Sequence, residues 1–291
     1  MLKSTITLSS RFRIVRDVLS GNVGVMALSW FLFGLSSALI MPYFSNYAKI
    51  LGADDLSIAY IRSIGAYALA LSILIGGFLT DRIGRVKTII TGTTMIVIIQ
   101  FCYALVSSWE HLAILWIIDQ AAHFYQPALT AIIMDSMPRD KLYQGFILLN
   151  IFPAIPWIFM PVIGGKLVDL YGLNGFRIGF IASGAISAIV LILRVRMLRE
   201  TLVARNNNNS IIDSFKELLK YRSELIKALK IIAYTAFLSP LSTAVYQTYA
   251  SIIAINYLGA SYSDWGVMNS LSTIVSILIS VILALFKNIV V

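Results

Sequence analysis

Eight windows of this chain hold no Asp, Glu, Lys or Arg: 18–48, 63–80, 88–109, 120–134, 142–165, 178–193, 231–263 and 265–286. That spacing of charge limits the possible folds more than any motif does. An α-helix rises about 1.5 Å per residue and the hydrocarbon core of a bilayer is about 30 Å thick, so about 20 apolar residues in a row span it. Allowing polar residues at the ends of the shorter windows, the pattern predicts eight transmembrane helices. Their expected limits are 23–46, 57–79, 88–108, 112–134, 142–165, 174–193, 231–256 and 265–286. No water reaches the backbone inside a bilayer, which leaves helices or closed barrels. The windows are too long and uniform for barrel strands of about 10 alternating residues. The expected class is therefore all-α, a polytopic helical membrane protein. Composition agrees, since 13% of the residues are charged against about 25% in soluble domains.

The excess of 23 Lys and Arg over 14 Asp and Glu reads as topology, and no nucleic-acid partner is expected. With the N-terminus in the cytoplasm, four basic residues precede the first helix, three lie on the 2–3 loop and two on the 4–5 loop. Nine more fall in 194–230, and Lys287 makes 19 inside, against Lys49, Arg62, Lys166 and Arg177 outside. Positively charged loops stay in the cytoplasm, so a multi-pass protein of the cell membrane with its N-terminus inside is predicted. Cys102 is alone in an apolar helix and supports neither an intrachain disulfide nor a metal cluster. No metal or cofactor is expected. The first 21 residues are polar and basic without a separate apolar core, so the first helix itself serves as the targeting signal.

Four regions follow: a basic N-terminus (1–21), a six-helix bundle (22–195), a linker (196–230) and two further helices (231–291). The linker holds the low-complexity run RNNNNS and then SIIDSFKELLKYRSELIKALK. In the latter, apolar residues recur at helical spacing behind a Ser210/Asp213 capping box, which reads either as an amphipathic surface helix or as a solvated connector. LSSALIMPYFS (35–45) matches LSTAVYQTYAS (241–251) at five of eleven positions. The match falls on the first helix of each side of the linker and suits two parallel repeats.

The connection between helices 2 and 3, GGFLTDRIGRVKTI (76–89), places Asp81, Arg82, Arg85 and Lys87 between two long apolar runs. Gly77 and Gly84 suit close helix approach and a tight turn. The bases hold the turn on the inner side, and Asp81 can accept from an arginine or a helix N-terminus. Written G77-x-L79-x-D81-R82-x-G84-R85-x-K87, the stretch resembles the signature loop of the major facilitator superfamily. MPYFSNYAKILGADD (41–55), QPALTAIIMDSMPRDK (126–141) and FMPVIGGKLVD (159–169) resemble further parts of that family. Asp135 takes the place of an acid that contacts the signature-loop bases there, and Pro161-x-x-Gly164-Gly165 resembles part of an antiporter pattern. The resemblance implies the N-terminal six-helix bundle of the major facilitator fold plus the first two helices of a second half. Eight helices are predicted where the family has twelve, so the chain reads as a truncated member. Helix 4 also lacks the family's arginine and carries Asp119 instead.

An ionisable group within a membrane helix is a functional hypothesis by default. Asp119, His123 and Gln126 are spaced to share one face of helix 4. A carboxylate beside an imidazole can exchange a proton near neutral pH. The plainer alternatives are a structural pair between Asp119 and Arg62 and a satisfied interior histidine. In the family the first and fourth helices of each half line the cavity, which implies Ser36, Ser37 and Met41 on helix 1, and Tyr246, Gln247 and Tyr249 on helix 7, as cavity neighbours. Asn150, Pro153, Pro156 and Pro161 read as kinks and packing in helix 5. Metalloprotease, nucleophile-elbow and P-loop motifs are absent, so no enzyme is expected. The expected function is a proton-coupled secondary transporter of small molecules, with export favoured over uptake. The alternative is a non-transporting remnant or membrane interaction protein, or a chain completed by a second one.

Overall fold

The computed structural model describes residues 20–202 and 243–286. The basic N-terminus up to residue 19, the linker from 203 with its amphipathic segment, residues 231–242 of the seventh predicted helix, and Lys287 lie outside the described residues.

Every element named here is helical, and the described parts of the predicted apolar windows fall on the helices. Helix α1 runs Gly21–Ile40, tightens into a 3₁₀ turn at Met41–Tyr43 and continues as Phe44–Ile50. Pro42 lies in that turn and lacks the N–H that an unbroken helix requires. Helix α2 is Asp55–Ile83 and α3 is Arg85–Leu105. Helix α4 comprises Trp109–Ala122, a 3₁₀ turn His123–Tyr125, and Gln126–Ser136. Helix α5 comprises Leu142–Ala154, a 3₁₀ turn Pro156–Ile158, and Met160–Tyr171; Pro156 and Pro161 open the second and third segments, whereas Pro153 lies within the first. Helix α6 is Leu173–Met197. The described part of α7 starts at 243 and ends in a π turn, Ile253–Tyr257. Helix α8 is Tyr262–Phe286.

Among the described residues, five helical stretches are long and apolar enough to cross a membrane: Gly21–Ile50, Asp55–Ile83, Arg85–Leu105, Gly145–Tyr171 and Leu173–Met197. Helix α4 differs because Asp119, Gln120, His123 and Gln126 interrupt its apolar run.

Between membrane helices the hydrophobic effect supplies little drive, so small residues that admit close contact do the packing. Helix α6 packs on α3 and α1, α2 on α4, and α5 on α1 and α8. A Cβ on Gly34 would lie 2.6 Å from the Pro153 carbonyl oxygen, and one on Gly164 would overlap the Leu39 carbonyl. Aromatic residues fill the core toward the end far from the basic loops. Tyr47 stacks on Phe176 at 4.9 Å, and Tyr103 lies 5.0 Å from Phe180; each such pair contributes about 1 kcal/mol beyond its area.

Candidate functional site

At the basic end, Gly84 turns the chain from α2 into α3 with φ +104°, a region that side chains with a Cβ rarely enter. That turn brings Arg85 back over α2. Its Nη1 donates to Asp81 Oδ1 at 3.0 Å and to the Thr80 carbonyl at 3.2 Å. Its Nε donates to Asp135 Oδ2, on α4, at 3.2 Å. The loop thus joins α2, α3 and α4 through one guanidinium. A Cβ added at Gly77 would meet nothing within 4 Å, whereas one at Gly76 would overlap the Phe124 backbone beside the break in α4. The close approach expected of Gly77 therefore belongs to Gly76. Arg82 lies with its guanidinium 5.7 Å from the Phe78 ring.

Glu200, just past α6, completes this cluster, and no sequence motif marks it. Its carboxylate accepts from Arg85 N and Val86 N, both at 3.0 Å, and from Thr201 N and Leu202 N. It thereby satisfies N–H groups at the start of α3 that have no partner within the helix. Thr201 donates to Asp135 Oδ2 at 2.8 Å, and Asn22 on α1 both donates to and accepts from the Arg199 backbone. The start of the linker is stitched to three helices, α1, α3 and α4.

Deeper in the bundle, Asp119 is 4% exposed and its Oδ1 has no hydrogen-bond partner. The Tyr103 hydroxyl on α3 and the His123 ring lie close enough to interact electrostatically with this carboxyl. Tyr103 nonetheless stands outside hydrogen-bonding geometry. The His123 Nδ1 sits 2.7 Å from the Asp119 backbone carbonyl, and its ring stacks on Tyr125. The expected single face is interrupted between His123 and Gln126. The 3₁₀ turn, followed by Pro127 with no N–H to give, rotates Gln126 away from the register of a continuous helix. Asp119 is buried, while His123 and Gln126 are half-buried.

No ion pair joins Asp119 to Arg62 among the described residues. The Arg62 guanidinium lies 4.7 Å from the Phe44 ring and 4.9 Å from the Trp116 ring, and donates to Ser45 Oγ at 3.3 Å. A fully buried arginine is hidden in the sequence, where it counts among the bases of 194–230. Arg194 is 1% exposed in the last turn of α6, donates to Thr93 Oγ1 at 2.7 Å and packs against the Tyr125 ring. Its position at the margin of an apolar window conceals it, because α6 continues to Met197.

Ser36 is occupied in the α1–α6 contact, with Oγ donating to the Ser183 carbonyl at 3.0 Å and lying 3.2 Å from Ser187 Oγ. Ser37 bonds back to the Phe33 carbonyl in its own helix, and Met41 sits half-buried in the α1 turn. On α7, Tyr246 and Gln247 are exposed, and the Tyr249 hydroxyl donates to the Asp55 carbonyl at 3.1 Å. The structure therefore groups Asp119 and His123 with Tyr103, and leaves Ser36 and Gln247 apart from them.

The family model for the Major Facilitator Superfamily matches residues 26–289. Multidrug resistance protein 2 of Bacillus subtilis is 22% identical over 257 residues, covering 86% of this chain and 62% of that protein. The multi-drug resistance efflux pump PmrA of Streptococcus pneumoniae serotype 4 is 25% identical over 182 residues, covering 60% of this chain and 45% of the pump. This chain thus spans less than two thirds of the length of either relative. The crystal structure of a D-xylose–proton symporter shares the fold with a TM-score of 0.67 at 14% identity, over 91% of this chain and 68% of the symporter. The family match over nearly the whole sequence, on a helical bundle built around the signature loop, places this multi-pass membrane protein in the major facilitator superfamily.

Proposed function

We propose that this protein is a secondary transporter that exports small molecules by alternating access in exchange for protons. The observation that carries the reading is Asp119, a carboxyl buried at a break in a membrane helix with one oxygen lacking a hydrogen-bond partner. Such a group is costly in a bilayer unless it works on an ion or substrate. His123 and Tyr103 beside it supply groups through which a proton can pass. Export is supported by the partial antiporter pattern at Pro161, Gly164 and Gly165, and by the similarity to proteins named for drug resistance and efflux. Proton coupling is consistent with the symporter of the same fold. The positive charge of the loops supports a cell-membrane protein with its signature-loop end and N-terminus in the cytoplasm.

The test uses protein purified from its own membrane, with whatever accompanies it, reconstituted into vesicles that trap a pH-sensitive dye. Lipophilic cations and sugars are added in turn across a pH gradient. The expected outcome is proton movement tied to at least one of them, lost in Asp119→Asn although that variant inserts normally. Unchanged proton dependence in the variant would remove Asp119 from coupling. Absence of substrate-linked flux in well-inserted wild type would favour the non-transporting reading.

A further inference from the structure

The end of the bundle opposite the basic loops is where α7 and α8 meet the first six helices through hydrogen bonds. Asn46 Nδ2 donates to Asn256 Oδ1 at 3.0 Å, and Tyr257 donates to Asp55 at 3.1 Å. The Trp265 indole donates to the Pro42 carbonyl at 3.1 Å, and the Tyr43 hydroxyl lies 2.5 Å from the Pro161 carbonyl and 3.2 Å from that of Tyr262. These hydrogen bonds between the two groups of helices gather at this end. The strongest of them in chemical terms comes from Asp169, near the end of α5. Its Oδ1 accepts from Tyr262 N and its Oδ2 from Ser263 N, both at 2.9 Å, and Oδ2 also accepts from the Ser263 hydroxyl at 2.5 Å.

The first turn of α8 divides its N–H groups in a telling way. Ser261 and Asp264 form a capping box: Ser261 Oγ accepts from Asp264 N at 3.0 Å, and Asp264 Oδ2 accepts from Ser261 N at 2.9 Å. That box leaves the N–H groups of Tyr262 and Ser263 without a partner in their own helix. Both are taken by the carboxylate of α5, with its charge at the positive end of the α8 dipole. Glycines make the reach possible. Gly165 lies one turn before Asp169 on the same face, and a Cβ there would overlap the Tyr262 backbone. A Cβ on Gly266 would meet the Pro161 carbonyl oxygen at 2.6 Å.

We infer that Asp169 is the latch of the gate that closes this end of the protein, holding α8 shut against α5 until the two halves part. The inference rests on the alternating-access reading above. Asp169 is exposed, so when the contact breaks, the carboxylate and both N–H groups pass to water rather than to lipid. The opening is therefore reversible at modest cost. A carboxylate is required because both oxygens accept; an amide would turn its N–H₂ toward one of two backbone donors.

The experiment places spin labels on Leu170→Cys and Leu258→Cys, both exposed at this end, in a Cys102→Ser background of the whole protein in lipid. The distance distribution is compared for Asp169, Asp169→Asn, Asp169→Ala and Asp169→Glu. The expected result is about a tenfold rise in the ratio of long to short distances for Asp169→Asn and Asp169→Ala, with Asp169→Glu retaining part of the short population. Unchanged distributions in both Asn and Ala variants that remain folded, judged by unaltered thermal stability, would overturn the latch. Loss of folding in both variants would also overturn it, because it would make Asp169 a structural cap. The readout needs no transported substrate. A gate that opens in a protein that transports nothing leaves the latch standing and removes the transporter.

Discussion

The two ends of the bundle use the same device for different purposes. At the basic end, the Glu200 carboxylate sits on the first N–H groups of α3, and at the opposite end the Asp169 carboxylate sits on those of α8. Glu200 and α3 both belong to the first six helices and their immediate continuation, and are tied further to α1 and α4 through Asn22 and Asp135. Asp169 instead reaches across to a helix that follows the linker. One carboxylate closes a bundle on itself, whereas the other joins two groups of helices that alternating access would separate. The chemistry of a helix cap therefore does not reveal its role. The role follows from whether donor and acceptor move together.

Neighbouring glycines offer the sharpest way to break that comparison. Gly164 faces α1 and Gly165 faces α8. Gly164→Leu should cost about 3 kcal/mol or more of bundle stability, since the Leu39 backbone cannot give way, and a denaturant titration in detergent would read it. Gly165→Leu should lengthen the Leu170–Leu258 distance while leaving that stability nearly unchanged. Equal destabilisation by the two substitutions would mean that α8 is a fixed part of the same packed body.

A smaller effect is expected at the basic end. Glu200→Ala removes a helix cap worth about 1 kcal/mol, and should lower thermal stability without altering the spin-label distance at the far end. A change in that distance would show that the two ends are coupled.

The smallest effect is the pH dependence of the same group. Partial burial pushes the Glu200 carboxyl up, but hydrogen bonds from Leu202, Val86, Arg85 and Thr201 outweigh it and hold the group below its usual 4.5. Because the folded value is depressed, the stabilisation is complete above about 4.5 and is lost as pH falls below it through the folded value. The stability difference between wild type and Glu200→Ala should therefore shrink in acid and stay constant near neutrality. A difference that grows in acid would contradict the cap.

Much of the architecture was legible in the residues. The charge-free windows located the helices, Pro156 and Pro161 marked the breaks in α5, and the spacing of Asp81, Gly84 and Arg85 marked the loop that the structure folds around one guanidinium. Asp135 came with the family resemblance, and its Oδ2 accepts from Arg85 Nε at 3.2 Å. The candidate site was less legible. Pro127 is a visible sign that α4 does not run straight through His123, yet helical spacing alone takes no account of it. Ser36 looks like a cavity residue by its helix, but its hydroxyl is taken up by Ser183 and Ser187 more than 140 positions away.

By itself the sequence determined that this chain is a set of membrane helices with a charged turn between the second and third, because hydropathy, charge and turn chemistry act over one or two helical turns. Only the tertiary structure decided which polar groups meet. Glu200 and Asp169 read alike as acids at helix ends, and Arg194 read as one more base beside a linker. The physical reason is that each group's environment is set by the helix packed beside it. Asp169 finds donors 93 and 94 positions along the chain, and Arg194 finds its acceptor 101 positions back.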